Sequence, residues 1–261
     1  MLNLLKIKTM TFKKHIPNFL TLLNLFFGTI AVFFAVKEQL VVAAFFVFLG
    51  IFFDFLDGFA ARILKVQGEL GKQLDSLADV VTSGVVPGIV MFQLILASVS
   101  NKDWTIGGRS MQDLPLDSYL SIIYLTAITG LLITLAAAYR LAKFNIDERQ
   151  TSSFIGLPTP AASLVVLSLP LILQYSSNEI AIHLIQSTWF LIALTLLLCY
   201  MMNAEIPLFS LKFKDYSWKN NKVKITFVFL TLMLVVMLQF IAIPLVIVLY
   251  VLLSMFFKEK E

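Results

Sequence analysis

An all-α, polytopic transmembrane helical bundle is the fold this sequence predicts, and three observations predict it. Hydrophobic residues fill 59% of the 261 positions against 14% charged, and the mean hydropathy is +0.89. Soluble domains sit near half apolar and about a quarter charged. Uncharged runs recur at about the 20 residues a helix needs to cross a hydrocarbon core of about 30 Å. The basic residues fall almost entirely into alternate loops, as the positive-inside rule requires of a chain that threads back and forth. This composition excludes disordered and collagen-like chains, and with 24 Phe it leaves too little polar surface for a soluble domain.

The elements follow in chain order. Ile16 to Val36 is the first run, preceded by Lys6, Lys8, Lys13 and Lys14. Its 21 residues exceed a signal-peptide core of about 7–15, so it is read as a retained helix. Leu40 to about Leu64 is the second helix, uncharged only to Phe53 and then carrying Asp54 and Asp57. Val80 to Ser100, Ser118 to Tyr139, Gln150 to Asn178 and Ile180 to Ala204 are read as the third to sixth. Ile225 to Phe257, at 33 residues, is too long for one ordinary span and is predicted to be a helical hairpin turning near Gln239 to Pro244. Eight spans put both termini on one side of the membrane. Of the 20 Lys and Arg, all but Lys37, Lys102 and Arg109 fall on that side, which assigns it to the cytoplasm. The chain divides into a membrane domain of residues 1–221 and a C-terminal transmembrane hairpin of residues 222–261.

Other classes are excluded by what is missing. The single cysteine, Cys199, allows neither an intrachain disulfide nor a Cys-based zinc cluster. A net charge of +4 on a membrane chain is read as lysines meeting anionic headgroups, so the bilayer is the expected partner and nucleic acid is not.

The chemistry lies in DFLDGFAARILKVQGELGKQLDSLAD, residues 54–79. Asp54 and Asp57 are spaced i,i+3 and Asp75 and Asp79 i,i+4, so each pair shares a helical face. The 14 apolar residues before Asp54 carry the helix about 21 Å into the membrane, which puts these carboxylates below the cytoplasmic surface. Four converging, partly dehydrated carboxylates repel one another and demand a compensating cation. Their oxygens are the ligand set of hard divalent ions, and four of them can hold a pair of ions about 3.5–4 Å apart, an arrangement suited to phosphoryl transfer. Arg62 adds planar donors for phosphate, and Gly58, Ala60, Ala61 and Gly71 leave room beside the backbone. Two alternatives use the same acids: a polar helix end paired with Lys65, Lys72 and Arg62, or an ion pathway of a cation-coupled transporter. The ion pathway has no need of the glycines, the Ala-Arg pair or a quartet confined to one hairpin.

At these residues the sequence resembles the CDP-alcohol phosphotransferase family, whose signature is Asp-x-x-Asp-Gly-x-x-Ala-Arg, eight residues, then Gly-x-x-x-Asp-x-x-x-Asp. Asp54, Asp57, Gly58, Ala61, Arg62, Gly71, Asp75 and Asp79 occupy every position. The resemblance implies a six-helix core, to which the hairpin is an addition, usually assembled as a homodimer. It implies a CDP-linked lipid attacked by an alcohol with release of CMP. It further implies Asp54, Asp57 and Asp75 as ligands of Mg2+ or Mn2+, two ions per site, and Asp79 as a general base that also touches metal. Gly58, Ala61, Arg62 and Gly71 would line the site of CDP-diacylglycerol.

The opening IPNFLTLLNLFFGTIAV, DSLADVVTSGVVPG, the YRLAKFN of Tyr139 to Asn145 and the FIGLPTPAA of Phe154 to Ala162 are similar to the integral-membrane bacterial branch that uses L-serine as acceptor. That likeness implies the bacterial cytoplasmic membrane, with the active site on its inner face. Val81-Thr82-Ser83 departs from the branch, where a serine and an aromatic more often precede the glycine. The same chemistry with glycerol 3-phosphate is the alternative acceptor. A serine acceptor needs a cation for its carboxylate, and Arg140, closing an uncharged helix, is placed to supply it or else to snorkel to headgroups. Asn18, Thr21 and Asn24 form an i,i+3 polar series on the first helix that faces the site or bonds a neighbour. Asn145 is a further acceptor-side group. Gly84, Pro87 and Gly88 either kink the third helix or permit close packing.

Overall fold

The computed structural model describes residues 2–100, 105–106, 109–110, 116–147, 154–208 and 218–256. The side chains of Lys102, Arg109 and Arg149, and of most terminal and loop lysines, lie outside the described residues. Helices dominate. Helix α1 (Leu2–Val36) runs unbroken through Pro17, and α2 (Leu40–Leu64) follows after a turn in which Glu38 takes a left-handed φ of 61°. Lys65, with φ 53°, ends α2 by presenting its N–H to the carbonyls of Ala61 and Arg62, a left-handed cap.

The third span is continuous from Glu69 to Val99 but not uniform. It consists of α3 (Glu69–Asp79), a π-helical segment (Val80–Val85) and α4 (Val86–Val99). A π turn within an α-helix is uncommon and tends to mark a functional position; here it starts directly after Asp79. Then come α5 (Leu116–Ile128), a 3-10 turn at Thr129–Leu131 and α6 (Leu132–Ile146), followed by α7 (Thr159–Tyr175), α8 (Glu179–Gln186), α9 (Thr188–Asn203), α10 (Trp218–Leu238) and α11 (Ala242–Phe256).

Helix α4 is central, with Val86, Val90, Met91 and Ile95 fully buried. Helices α1 and α2 lie along each other through the buried alanines 31, 35, 43 and 44 and through stacked rings, Phe27 on Phe53 at 5.2 Å and Phe34 on Phe46 at 5.4 Å. Their outer faces expose Phe19, Phe26 and Phe33, and Phe45, Phe52 and Phe59, stripes spaced seven apart that face lipid in a spanning helix.

Of the two readings of Gly84 and Gly88, close packing is the one observed. A Cβ on Gly84 would come within 3.2 Å of Ala137 Cβ, and one on Gly88 within 2.2 Å of Thr134 Oγ1. Small residues at such crossings let helix backbones approach where there is no hydrophobic drive between helices. Gly130 is tighter still, since its added Cβ would stand 2.6 Å from Phe92 N and 2.8 Å from Met91 C. Backbone atoms cannot swing aside, so Gly130→Ala is expected to cost about 1–3 kcal/mol, the range for overpacking. Thermal unfolding in detergent checks this, and an unchanged midpoint would contradict it.

Two boundaries differ from the sequence expectation. Ile180 to Ala204 is not one helix: α8 and α9 meet at 79°. Ser187 is extended there (φ −78°, ψ 117°), while Asn178 caps α8 by accepting from Ala181 N at 3.0 Å and Thr188 Oγ1 pairs with Ser98 Oγ at 2.9 Å. Within the described part of Gln150 to Asn178 the helix is Thr159–Tyr175, and ahead of it a two-residue antiparallel ladder pairs β3 (Phe154–Ile155) with β4 (Pro207–Leu208). A second such ladder joins β1 (Thr105–Ile106) and β2 (Arg109–Ser110). Gly156 follows β3 with φ 73° and has no room for a Cβ, which would lie 2.6 Å from Met202 O; its N–H is bound by Ile206 O at 2.9 Å. Pro158 then leads into α7.

The C-terminal run follows the expectation. By length alone Lys222–Met255 forms one 34-residue apolar stretch, yet the rings of Phe227 and Tyr250 are 5.8 Å apart. Residues so separated in sequence meet only if α10 and α11 double back. The predicted hairpin is therefore real, and it turns at Gln239–Ile241, with Gln239 at φ 49°. Its turn packs on the core, Phe240 against Tyr175 at 5.6 Å.

Candidate active site

The α2–α3 hairpin, steadied by α1, brings the signature aspartates together. Asp54 and Asp57 lie in the last part of α2, and Asp75 and Asp79 near the end of α3. Carboxylate oxygens of Asp54, Asp57 and Asp75 all lie within 4.8 Å of one another. Asp57 and Asp79 are buried and the other two half-buried. Three converging oxygen donors with so little water around them fit a hard divalent cation, and without one their mutual repulsion would be costly.

Helix α1 supplies the partners. Thr21 Oγ1, which also reaches Pro17 O at 3.1 Å, donates a short hydrogen bond to Asp57 Oδ2. Asn24 Nδ2 donates to Asp79 Oδ1 at 3.2 Å. Of the i,i+3 series, Thr21 and Asn24 thus face the site by bonding its aspartates on the neighbouring helices. Asn18 sits nearly two turns nearer the N-terminus of α1 than Asn24, its Oδ1 where it would meet a Cβ on Gly71 at 3.3 Å. Together with His15, Val66, Gly68, Glu69, Leu70 and Gly71 it lines a cavity of about 360 Å³, within the range of small-molecule pockets.

The other expected residues are placed as follows. Arg62 is exposed and its Nε donates to Gly58 O at 2.9 Å. A Cβ on Gly58 would meet only Arg62 Nη2, at 3.9 Å, so the chain itself does not require glycine there and the space is open. Ala61, half-buried, precedes Arg62 on the same turn. Arg140, on α6, is buried. Its guanidinium lies 5.9 Å from the centroid of the Phe144 ring, its Nε has no hydrogen-bond partner among the described residues, and its charge acts on Asp79. That burial is unlike a side chain snorkelling to headgroups. Asn145 is committed elsewhere: its Nδ2 donates to Ser76 Oγ at 2.8 Å, and its carbonyl accepts from Lys72 Nζ. It ties α6 to α3 next to Asp75.

Several residues carry polar structure that the motif does not announce. Thr82 Oγ1 donates to Asn24 Oδ1 at 2.8 Å. Ser83 Oγ, Thr159 Oγ1 and Ser163 Oγ are buried without hydrogen-bond partners among the described residues. They sit on the π-helical segment and on α7, which pack on each other and on α6. Buried hydroxyls normally find a partner, and these three are exceptions among the described residues. The departure at Ser83 and the Thr-Pro of the FIGLPTPAA segment were the only signals of them in the sequence.

Comparisons with known proteins agree with this geometry. Residues 14–201 match the family described as CDP-alcohol phosphatidyltransferase. A CDP-diacylglycerol-serine O-phosphatidyltransferase of Bacillus subtilis (strain 168) is 30% identical over 166 residues, 64% of this chain and 78% of that protein. A protein of the same description from Helicobacter pylori (strain J99 / ATCC 700824) is 31% identical over 153 residues, covering 58% of this chain and 55% of its own length. An archaetidylserine synthase of Methanothermobacter thermautotrophicus is 29% identical over 173 residues, 65% of this chain and 64% of its own. With its aspartates converged and the match spanning well over half its length, this chain is a membrane enzyme that belongs to the CDP-alcohol phosphatidyltransferase family.

Proposed function

We propose that this enzyme transfers the phosphatidyl group of CDP-diacylglycerol to L-serine, giving phosphatidylserine and CMP. The observation that carries the reading is the convergence of Asp54, Asp57 and Asp75 beside Asp79, in a chain whose relatives from Bacillus and Helicobacter are described as serine phosphatidyltransferases. The serine hydroxyl oxygen attacks the phosphorus that bears diacylglycerol, and the bond from that phosphorus to the CMP oxygen breaks. The hydroxyl proton passes to Asp79, so no covalent enzyme intermediate is needed. Asp54, Asp57 and Asp75 would hold divalent cation, Mg2+ or Mn2+ and two ions per site, and the bound metal supplies neutralisation of the diphosphate and of charge developing on the leaving group.

The chain's own residues do the binding and orienting. Gly58, Ala61, Arg62 and Gly71 line the nucleotide side, where Asn18 and the cavity at Gly71 receive the cytidine end. Thr21 holds Asp57 in place. Arg140 takes the serine carboxylate, and the unpaired hydroxyls of Ser83, Thr159 and Ser163 serve the amine and carboxylate. Asn145 supports this side indirectly, through Ser76. The enzyme works as a homodimer in the bacterial cytoplasmic membrane, termini and site inward, and residues 222–261 are an extension to a membrane domain of residues 1–221.

Product analysis tests the reading. Purified protein in liposomes of CDP-diacylglycerol is given isotope-labelled L-serine or glycerol 3-phosphate. Labelled phosphatidylserine is expected, and phosphatidylglycerophosphate as the sole product would overturn the acceptor assignment.

A further inference from the structure

The helix interface behind Asp79 contains polar groups that the reaction does not touch. Asn24 and Thr82 are both 0% exposed and Asp79 only 8%, and unlike the unpartnered hydroxyls of Ser83, Thr159 and Ser163, the side chains of Asn24 and Thr82 are already committed to partners within the protein. Both are hydrogen-bonded into one chain: Thr82 Oγ1 donates to Asn24 Oδ1 at 2.8 Å, and Asn24 Nδ2 donates to Asp79 Oδ1 at 3.2 Å. Room for this chain is made by two glycines on different helices. A Cβ on Gly28 would fall 2.3 Å from Thr82 Oγ1, and one on Gly50 would fall 2.7 Å from Thr82 Cγ2 and 2.9 Å from Asn24 Oδ1. Helices α1 and α2 both thin to bare backbone at this one place, and the π-helical segment that carries Thr82 begins directly behind Asp79.

We propose that Thr82 is a positioning residue, which fixes the amide of Asn24 so that its N–H, and not its carbonyl, is aimed at Asp79. An amide has two ends of nearly the same shape and opposite hydrogen-bonding sense. The Thr82 hydroxyl has one proton and lies 2.8 Å from Asn24 Oδ1 against 3.3 Å from Asn24 O; donated to the nearer oxygen, it leaves Nδ2 to face the carboxylate. Turned the other way, Asn24 would set a carbonyl oxygen against a carboxylate oxygen, and Asp79 would swing from its place beside the acidic cluster. A reacting group displaced by about 1 Å can lose about a hundredfold in rate. With Asn24 and Thr82 fully buried, the network is effective only when every member is satisfied. The inference rests on the reading of Asp79 as the proton acceptor.

The test uses full-length protein in liposomes, measuring serine-dependent CMP release from CDP-diacylglycerol. Thr82→Val keeps the side-chain volume and removes the hydroxyl, Thr82→Ser keeps the hydroxyl, and Asn24→Leu removes the amide. Thr82→Val is expected to lower kcat about tenfold or more with both KM values within about twofold, and Thr82→Ser to stay within about threefold of wild type. Because Thr82 acts through Asn24, the double variant Thr82→Val/Asn24→Leu should be no slower than Asn24→Leu alone, a non-additivity that independent packing defects do not give. Full activity in Thr82→Val, equal losses in the Val and Ser variants, or additive losses in the double variant would each overturn the relay. Asp79→Asn, run alongside, separates the two readings: if it retains turnover, the role of Asp79 itself is wrong, whereas an inactive Asp79→Asn beside a fully active Thr82→Val removes the relay alone.

Discussion

Replacing Asp79 by Asn is expected to lower serine-dependent CMP release by about 100- to 10,000-fold, the range a positioned general base contributes, while CDP-diacylglycerol still binds. The amide keeps the size of the carboxylate but cannot take up the serine proton. Asp79 stands outside the trio of carboxylates within 4.8 Å of one another, so the trio survives the change. Asp57→Asn behaves differently, because Asp57 belongs to the trio and is held there by Thr21. Turnover and the binding of divalent cation and nucleotide should fall together. Calorimetric titration with CDP-diacylglycerol in detergent, beside turnover in liposomes, separates the two. If the variants lose binding and turnover in the same proportion, the division of labour between Asp79 and the trio is wrong.

Replacing Arg140 by Ala is expected to raise the KM for serine about 10- to 100-fold, as the loss of a hydrogen bond to a charged group worth about 1.5–3 kcal/mol implies, with the KM for CDP-diacylglycerol changed far less. Arg140 is buried, stacked near Phe144, with its Nε free among the described residues. Lysine is not an equivalent substitute, because it lacks the planar fork that pairs with a carboxylate. Arg140→Lys should therefore recover only part of the loss. Initial rates over a serine series check both variants, and an unchanged serine KM in Arg140→Ala would take Arg140 out of the acceptor site.

The acidic centre was legible because its chemistry is written in local spacing. Two carboxylates on one helical face at the end of α2 and two more on α3, joined by a short basic loop, can hardly avoid one another once the hairpin closes. The hairpin of α10 and α11 was legible for a similar reason, since an apolar run of that length must turn. What escaped depends on contacts between distant parts of the chain. Nothing near Ser187 in the sequence distinguishes a 79° bend from a straight span, and the contact made at the bend, Thr188 with Ser98, joins residues 90 apart. Likewise, the ladder of Phe154–Ile155 with Pro207–Leu208 precedes α7 in a stretch whose hydropathy alone reads as membrane. The polar series on α1 could be seen on one face but not matched to partners. Its pairing of Thr21 with Asp57 and Asn24 with Asp79 depends on the rotation of α1 against α2 and α3. Thr82 was visible only as a departure from a family pattern, and its link to Asn24 depends on space left by Gly28 and Gly50.

Acceptor-dependent CMP release tests the central claim most directly. Purified protein in liposomes containing CDP-diacylglycerol is supplied with Mg2+ or Mn2+ and with L-serine, glycerol 3-phosphate, inositol or no alcohol, each with and without chelator. Release that needs L-serine and disappears with the chelator is the predicted result. Release that is indifferent to serine, or that continues unchanged after the divalent cation has been removed, would contradict the account.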